Sequence, residues 1–203
     1  MLLLPPVQQK IKEIVLQEIT QKTGSEISIE SFRAYPLGRF KLEEIYASDL
    51  KNDTLLYAEK MYVGINIFRL FQNKIVVNSV EISHFDLHIS KDSLNASFNF
   101  RFLIDAFASD KPKQDSSLLH LDIKRILLHD GSLSYDVFSE PFLEAGILDF
   151  NHIDINNLYL NTKLHFDNVD NWSTSVENLA FDEKSGFALK NMRFKANNSD
   201  KSN

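Results

Sequence analysis

The chain has 203 residues, which suits one domain or two small ones, and 43% of them are hydrophobic, enough for a sizeable core. Its formal net charge is −6, with the charged residues spread along the chain, which argues against a nucleic-acid-binding protein. The absence of cysteine excludes disulfides, thiol catalysis and thiolate metal ligands.

Residues 1–24 predict an amphipathic N-terminal helix. Val7, Ile11, Val15 and Ile19 recur at helical spacing among polar residues, and Gly24 is a natural residue to end the helix. The helix either packs one face on a sheet or acts as a juxtamembrane or capping helix. Residues 1–6, MLLLPP, are either a frayed start or the remainder of a longer apolar segment. No stretch approaches the ~20 apolar residues that span a bilayer.

From residue 25 to residue 197 the pattern predicts a mainly β protein, because apolar and polar residues alternate with a period of two. We expect a curved antiparallel β-sheet that forms a repeating groove, accompanied by the N-terminal helix and one short internal helix. The first three runs are marked by Ile27 and Ile29, then Phe40 and Leu42, then Met61, Val63, Ile65 and Ile67. Similar alternation continues to Phe194 and includes a strand at Leu148 and Phe150.

A weak internal repeat interrupts this alternation. Apolar residues fall at steps of two, three and two in two places, at Val80, Ile82, Phe85 and Leu87 and at Ile153, Ile155, Leu158 and Leu160. A looser match runs through Phe40, Leu42, Ile45 and Ala47, and a fourth through Ile126, Leu128 and Leu133 if Gly131 takes the third place. A step of three within a strand predicts a bulge, a sharp bend or a tight turn at that point. A recurring bend is what a curved, repetitive sheet needs.

Three segments depart from the strand pattern. Residues 95–107 predict a short helix capped by Asn95 or Ser97. Residues 108–118 are polar and contain a proline, which predicts a mobile loop. Residues 198–203 predict a disordered tail.

No pattern in the sequence points to catalysis. Phosphate-binding glycine loops and nucleophile elbows are absent. His84 and His88 lie four apart in a strand pattern, a separation of ~13 Å that is too large for one zinc ion. We interpret the acidic residues as solvated surface groups, namely Asp149, Asp154, Asp182 and Glu183. Asp53 is interpreted as a turn residue that bonds its own backbone. We therefore predict no catalytic residue, no metal, no cofactor and no enzymatic activity.

Five segments carry a resemblance to a known family. The opening of the chain, with PVQ at 6–8 and TGSEISI at 23–29, resembles the start of AsmA-like and TamB-like proteins just after their membrane anchor. The segment DLKNDTLLYA at 49–58 resembles a stretch of the same proteins. The segments FNFRFLIDAF at 98–107 and EKSGF at 183–187 resemble the Bacteroidota branch of TamB-like proteins.

The resemblance implies an envelope protein of the periplasm, much longer than this chain and anchored in the inner membrane by a helix that precedes it. It implies a β-rich rod whose apolar groove carries phospholipid acyl chains between the two membranes. An outer-membrane partner of the BamA/TamA type would be bound by a C-terminal part missing from this chain. No nucleic acid is expected as a partner.

We predict that one apolar face contacts the lipid. Its expected residues are Ile27, Ile29, Phe40, Leu42, Val63, Ile65, Ile67, Val80, Ile82, Leu121, Ile123, Ile126 and Leu128. Two other interpretations stay open, since alternation looks the same in each case. One is a scaffold or chaperone that pairs its strand edges with outer-membrane protein strands. The other is a closed β-domain whose apolar face is an ordinary core.

Overall fold

Eight strands form one sheet in which each strand pairs with its neighbour in sequence. The computed structural model describes residues 5–70, 75–107, 119–144, 146–168 and 171–199. The strands are β1 Ile27–Tyr35, β2 Arg39–Ser48, β3 Thr54–Ile65, β4 Ile75–Lys91, β5 Leu119–Val137, β6 His152–Asn168, β7 Asn171–Glu183 and β8 Ala188–Ser199. Since β1 pairs with β2 and β8 pairs with β7, the sheet is open, and the predicted mainly β fold is confirmed.

One pair of strands departs from the expected antiparallel arrangement. β4 and β5 run parallel, from Ile75↔Leu119 to Lys91↔Val137, while the other six pairs are antiparallel. A parallel pair needs a crossover connection. The connection here carries helix α3, Arg101–Phe107, which is the short internal helix that the sequence predicts. A further four-residue helix, α2, spans Ile67–Leu70.

The N-terminal helix α1, Pro5–Thr23, lies along the outer edge of β1. The Lys12 ammonium donates a hydrogen bond of 3.1 Å to the Glu30 carbonyl, and the Gln8 side-chain oxygen accepts one of 2.8 Å from the Ala34 N–H. Ile11 is buried against the apolar face of the sheet. An unpaired strand edge is a template for aggregation, and α1 protects this one.

Gly24 ends α1 as predicted. Its φ is +71°, and its N–H donates a hydrogen bond of 2.8 Å to the Thr20 carbonyl. Glycine adopts this left-handed conformation without the steric cost that a Cβ would bring.

The recurring bend predicted from the sequence is present in four strands. Glu44, His84, Asp130 and Asn157 have φ of 52°, 51°, 56° and 52°, and each is the second residue within a step of three. The strand registers place His84 beside Asp130 and, across β3, in line with Glu44, so these bends lie in one row. The extra residue in each step of three keeps the apolar residues on both sides of it on one face of the sheet, and such a residue bends the strand locally.

A glycine and an aromatic ring meet at this row of bends. Phe85 follows the bend of β4 and is only 4% exposed, and Gly131 follows the bend of β5. A Cβ on Gly131 would lie 2.2 Å from the Phe85 ring, far inside van der Waals contact. The sequence therefore has glycine in the third place of the β5 repeat because the neighbouring ring fills the space.

Several element boundaries differ from the sequence prediction. Ile67 begins α2 and is not part of β3, so its assignment to the third strand is wrong. The expected strand at Leu148 and Phe150 is absent, because both residues lie in the connection before β6. Neither Asn95 nor Ser97 caps α3, which begins later, at Arg101.

Asn99 does not cap α3 but attaches the segment before that helix to β4. Its side chain accepts a hydrogen bond of 3.1 Å from the Ser90 N–H and donates one of 2.9 Å to the His88 carbonyl. The predicted loop at 108–118 lies outside the described residues. Of the predicted tail at 198–203, residues 200–203 also lie outside, whereas Asn198 and Ser199 belong to β8 and pair with β7.

We predict that Gly131→Ala lowers the free energy of unfolding by about 1–3 kcal/mol, because the added methyl group overpacks against Phe85. Urea denaturation measures this change. The double variant with Phe85→Leu supplies the control, since a smaller side chain leaves room for the methyl group. Its loss of stability should be smaller than the sum of the two single losses. Additive losses would contradict the proposed contact.

Candidate functional site

The apolar face of the sheet is one continuous hydrophobic cluster. Its buried members are Ile11, Ile29, Ala34, Phe40, Leu42, Ile45, Ala58, Ile65, Val77, Phe85 and Leu158. Partly buried residues extend the cluster across β5, β6 and β7, namely Ile123, Leu128, Leu133, Ile155, Leu179 and Phe181. Of the described helices, only α1 contributes residues to it. The chain therefore has an extended apolar surface with little helix to cover it.

Burial of this face decreases along the sheet. Nine of the eleven buried members belong to β1–β4, where α1 packs, and β6 contributes only Leu158. At the far edge, Met192 and Phe194 of β8 remain 40% and 39% exposed. The β1–β4 half is thus an ordinary packed core, and the face becomes accessible toward β8.

The residues predicted to contact lipid fall into three groups. Ile29, Phe40, Leu42 and Ile65 are buried, so they offer little surface to a ligand. A second group is half-buried on the sheet, comprising Ile27, Val63, Val80, Ile82, Ile123, Ile126 and Leu128. Leu121 lies on β5, and Ile67 lies on α2 instead of the strand series.

The prediction also left out accessible residues of the same face. Leu133, Ile155, Leu179 and Phe181 are partly buried in the cluster and lie on its more open half. Their alternation with polar residues is as clear as that of the earlier strands, so the sequence pattern was sufficient to find them.

The motif at 49–58 closes the turn between β2 and β3, and Asp49 is its central residue. The Asp49 carboxylate accepts hydrogen bonds of 2.8 and 3.0 Å from the N–H groups of Lys51 and Asp53. Asp49 is 3% exposed, and Asn52 within the turn has φ of 66°. The interpretation of Asp53 as the turn-forming side chain is therefore wrong, because the amides of the turn point toward Asp49.

Asp149 performs the same task in the connection between β5 and β6. Its carboxylate accepts hydrogen bonds of 3.0 Å from the N–H groups of Leu143 and Asn151, and these donors lower the pKa of Asp149. The side chain is nearly buried at 9% exposure. It is not a solvated surface group, as the sequence suggested, because it satisfies backbone donors.

Glu183 ties the turn between β7 and β8. Its carboxylate accepts hydrogen bonds from the N–H and hydroxyl of Ser185 and one of 3.4 Å from the Asp154 N–H. Burial raises the pKa of Glu183, but these hydrogen bonds outweigh it and leave the pKa lowered. Glu183 is 7% exposed and also differs from the expected solvated group.

His84 and His88 take separate positions. His84 is exposed at the bend of β4, whereas His88 forms hydrogen bonds of 2.9 Å with both Ser134 and Asp86. Across the described ranges, no three side chains of the His, Asp or Glu type are grouped so that they could hold a metal ion.

His152 also binds the connection between β5 and β6. Its Nδ1 lies 2.9 Å from an Asp136 carboxylate oxygen, and its Nε2 lies 3.0 Å from the Glu140 carbonyl. Both partners are acceptors, so the doubly protonated ring fits this position. The Asp136 hydrogen bond raises the pKa of His152, although burial of the ring opposes it. The Phe142 ring stacks on the imidazole with centroids 3.8 Å apart.

We predict a pH dependence of stability that originates at His152. A raised folded-state pKa stabilises the protein fully below the unfolded value of about 6.5, and this contribution is lost as pH rises through the folded value. The difference in free energy of unfolding between the wild type and His152→Gln should therefore shrink as pH rises above about 6.5. Urea titrations across this range measure it, with His88→Gln as the matched control. A difference independent of pH would contradict the prediction.

Within the described part of the chain, no helix has the length and apolar character needed to cross a membrane. No known family, curated protein or solved structure matches this chain.

Proposed function

We propose that this chain is a non-enzymatic lipid-conducting module of the periplasm, part of a protein anchored in the inner membrane, in which phospholipid acyl chains pass along the apolar face of the sheet. The observation that carries the proposal is a continuous apolar face on an open sheet, which is mostly half-buried over β5–β7, apart from the buried Leu158, and exposed at β8. Apolar surfaces of this extent on a soluble domain mark binding sites.

The energetics of lipid movement favour such a surface. Exposing a ~16-carbon acyl chain to water costs roughly 13 kcal/mol at ~0.8 kcal/mol per methylene. An apolar path removes most of this cost at each point along it, and it requires no catalytic group. The carboxylates Asp49, Asp149 and Glu183 are engaged with backbone amides, which is consistent with a structural role for each.

The row of bends gives this face its form. Because the bends at Glu44, His84 and Asp130 lie in one row across the strands, we infer that the trough runs along the direction in which strands stack. Its β1 end is filled by α1, so we place the lipid path over the open half, from β5 to β8. Among the predicted residues, Ile123 and Leu128 line this half.

We predict that Leu128→Asp blocks lipid contact while the domain stays folded. Leu128 belongs to the apolar cluster and is half-buried, so the charge lies in the path but retains access to water. A photo-reactive residue at Leu133, on the same face of the same strand, should crosslink phospholipid in the unmutated protein. We expect Leu128→Asp to reduce these crosslinks at least about fivefold, with a melting temperature within a few degrees of the wild type.

The matched control is Leu127→Asp, which makes the same chemical change one residue away on the polar side of β5. It should leave crosslinking unchanged. Ile65→Asp, at a residue only 6% exposed, should instead unfold the domain, because it buries a charge in the packed half. Absence of phospholipid crosslinks from Leu133 in the unmutated protein would reject the lipid path.

A second candidate is a scaffold for assembly of outer-membrane proteins, together with a BamA/TamA-type partner. It is favoured by the edge of β8, where Ala188–Ser199 pairs only with β7 among the described strands. Such an edge can receive a strand from a client protein.

We predict that, if this second candidate is correct, photo-reactive groups at Lys195 of β8 crosslink an outer-membrane β-strand peptide, while groups at Lys124 of β5 do not. Equal crosslinking at the two positions would reject pairing at the edge.

A further inference from the structure

Two segments of the chain carry only basic charged residues, in contrast to the mixed charges spread along the rest of the sequence. Residues 31–42 and 60–80 contain six Lys or Arg and no Asp or Glu, whereas the remaining residues contain 16 basic and all 28 acidic ones. These two segments flank the turn between β1 and β2 and the connection between β3 and β4. The turn after β1 and the connection after β3 lie at the same end of the sheet, which we call the basic rim, because the pairs β1–β2, β2–β3 and β3–β4 are antiparallel.

The basic rim also presents two large apolar side chains to solvent. Leu37 is 90% exposed and Phe68 is 76% exposed. Leu37 has φ of 65°, in a 3-10 turn at Pro36–Gly38, a left-handed conformation that is unfavourable for leucine. The turn and the end of β3 are adjacent, since one cavity of about 460 Å³ is lined by Leu37, Gly38 and Ile65.

Three arginines belong to the same rim of the sheet. Arg33 and Arg69 are exposed at this rim. Arg39 is held in place by an ion pair of 3.0 Å with Glu81 and by the Tyr62 ring, 4.1 Å from its guanidinium carbon. Glu81 offsets part of the Arg39 charge, but segments 31–42 and 60–80 themselves contain no acidic residue.

We propose that the basic rim binds the surface of an anionic lipid bilayer. Leu37 and Phe68 enter the boundary between headgroups and acyl chains, and Arg33, Arg39 and Arg69 face the lipid phosphates. Exposed apolar side chains beside cationic ones are the combination by which peripheral surfaces bind anionic membranes. This inference does not depend on lipid passing along the apolar face of the sheet.

The opposite rim provides a natural comparison. The connection between β5 and β6 exposes Phe138, Phe142 and Phe150 at 63%, 76% and 73%. Residues 138–151, however, contain three acidic residues and no basic one. An anionic bilayer would repel this connection, so exposed aromatic rings alone do not determine which rim binds.

The test uses the full chain and flotation with two kinds of vesicle, one containing phosphatidylglycerol and one of phosphatidylcholine alone. The wild type should bind the phosphatidylglycerol vesicles, and added salt should weaken the binding. Leu37→Ser with Phe68→Ser should reduce binding at least about tenfold. Arg33→Gln and Arg69→Gln should each reduce it about fivefold.

The matched control is Phe142→Ser with Phe150→Ser, which removes two exposed aromatic rings from the connection between β5 and β6 at the opposite rim. It should bind phosphatidylglycerol vesicles as the wild type does. Circular dichroism and melting temperature confirm that each variant is folded. Equal binding to the two kinds of vesicle would overturn the proposal, as would unchanged binding of the Leu37 and Phe68 variant or a loss confined to the control variant.

Discussion

The architecture depends on a left-handed backbone residue placed in the interior of four strands. Glu44, His84, Asp130 and Asn157 each adopt positive φ, which is uncommon for residues other than glycine and occurs most often at Asn, Asp and His. Glu44, His84 and Asp130 lie in one row across the sheet, so their strands bend at a common position. The close approach of Phe85 to Gly131 occurs just beyond this row and packs two neighbouring bends against each other. The contact therefore couples the bend of β4 to the bend of β5.

The two edges of the sheet differ in how far their apolar side chains are covered, and burial of the apolar face changes from one edge to the other. At β1, helix α1 supplies Ile11 to the core and uses Lys12 and Gln8 to satisfy backbone groups of the strand. At β8, Met192 and Phe194 remain exposed. The same surface therefore changes from a closed core to an accessible face over the width of eight strands. The packed half stabilises the domain, and the other half keeps part of its apolar area accessible.

The parts of the fold that the sequence predicted depend on local patterns. Alternation identifies the strands, and the steps of three locate the bends. The contact between Gly131 and Phe85 is visible only in the folded structure. The parallel pair of β4 and β5 was missed because pairing direction depends on a crossover whose path is not encoded in periodicity. Ile67 was assigned to a strand because a four-residue helix produces too short a pattern to be distinguished from alternation.

The candidate site was predictable in kind but not in detail. Alternation shows which side chains share a face, but whether Ile29 is buried or accessible depends on where α1 packs. The carboxylates could not be interpreted correctly, because Asp149 and Glu183 bind amides whose positions arise only from the folded turns.

The bends have a consequence for how this chain tolerates insertions and deletions. In a strand of strict alternation, losing one residue reverses every side chain that follows it. In β4, the step between Ile82 and Phe85 already contains the extra residue that keeps both halves on one face. Deleting His84 would remove this extra residue and leave Ile82 and Phe85 two apart, so Phe85, Leu87 and Ile89 would stay on the apolar side and the strand would lose only its bend. A one-residue deletion should therefore be tolerated at the bend but not elsewhere in these strands, where it would turn every later side chain to the other face.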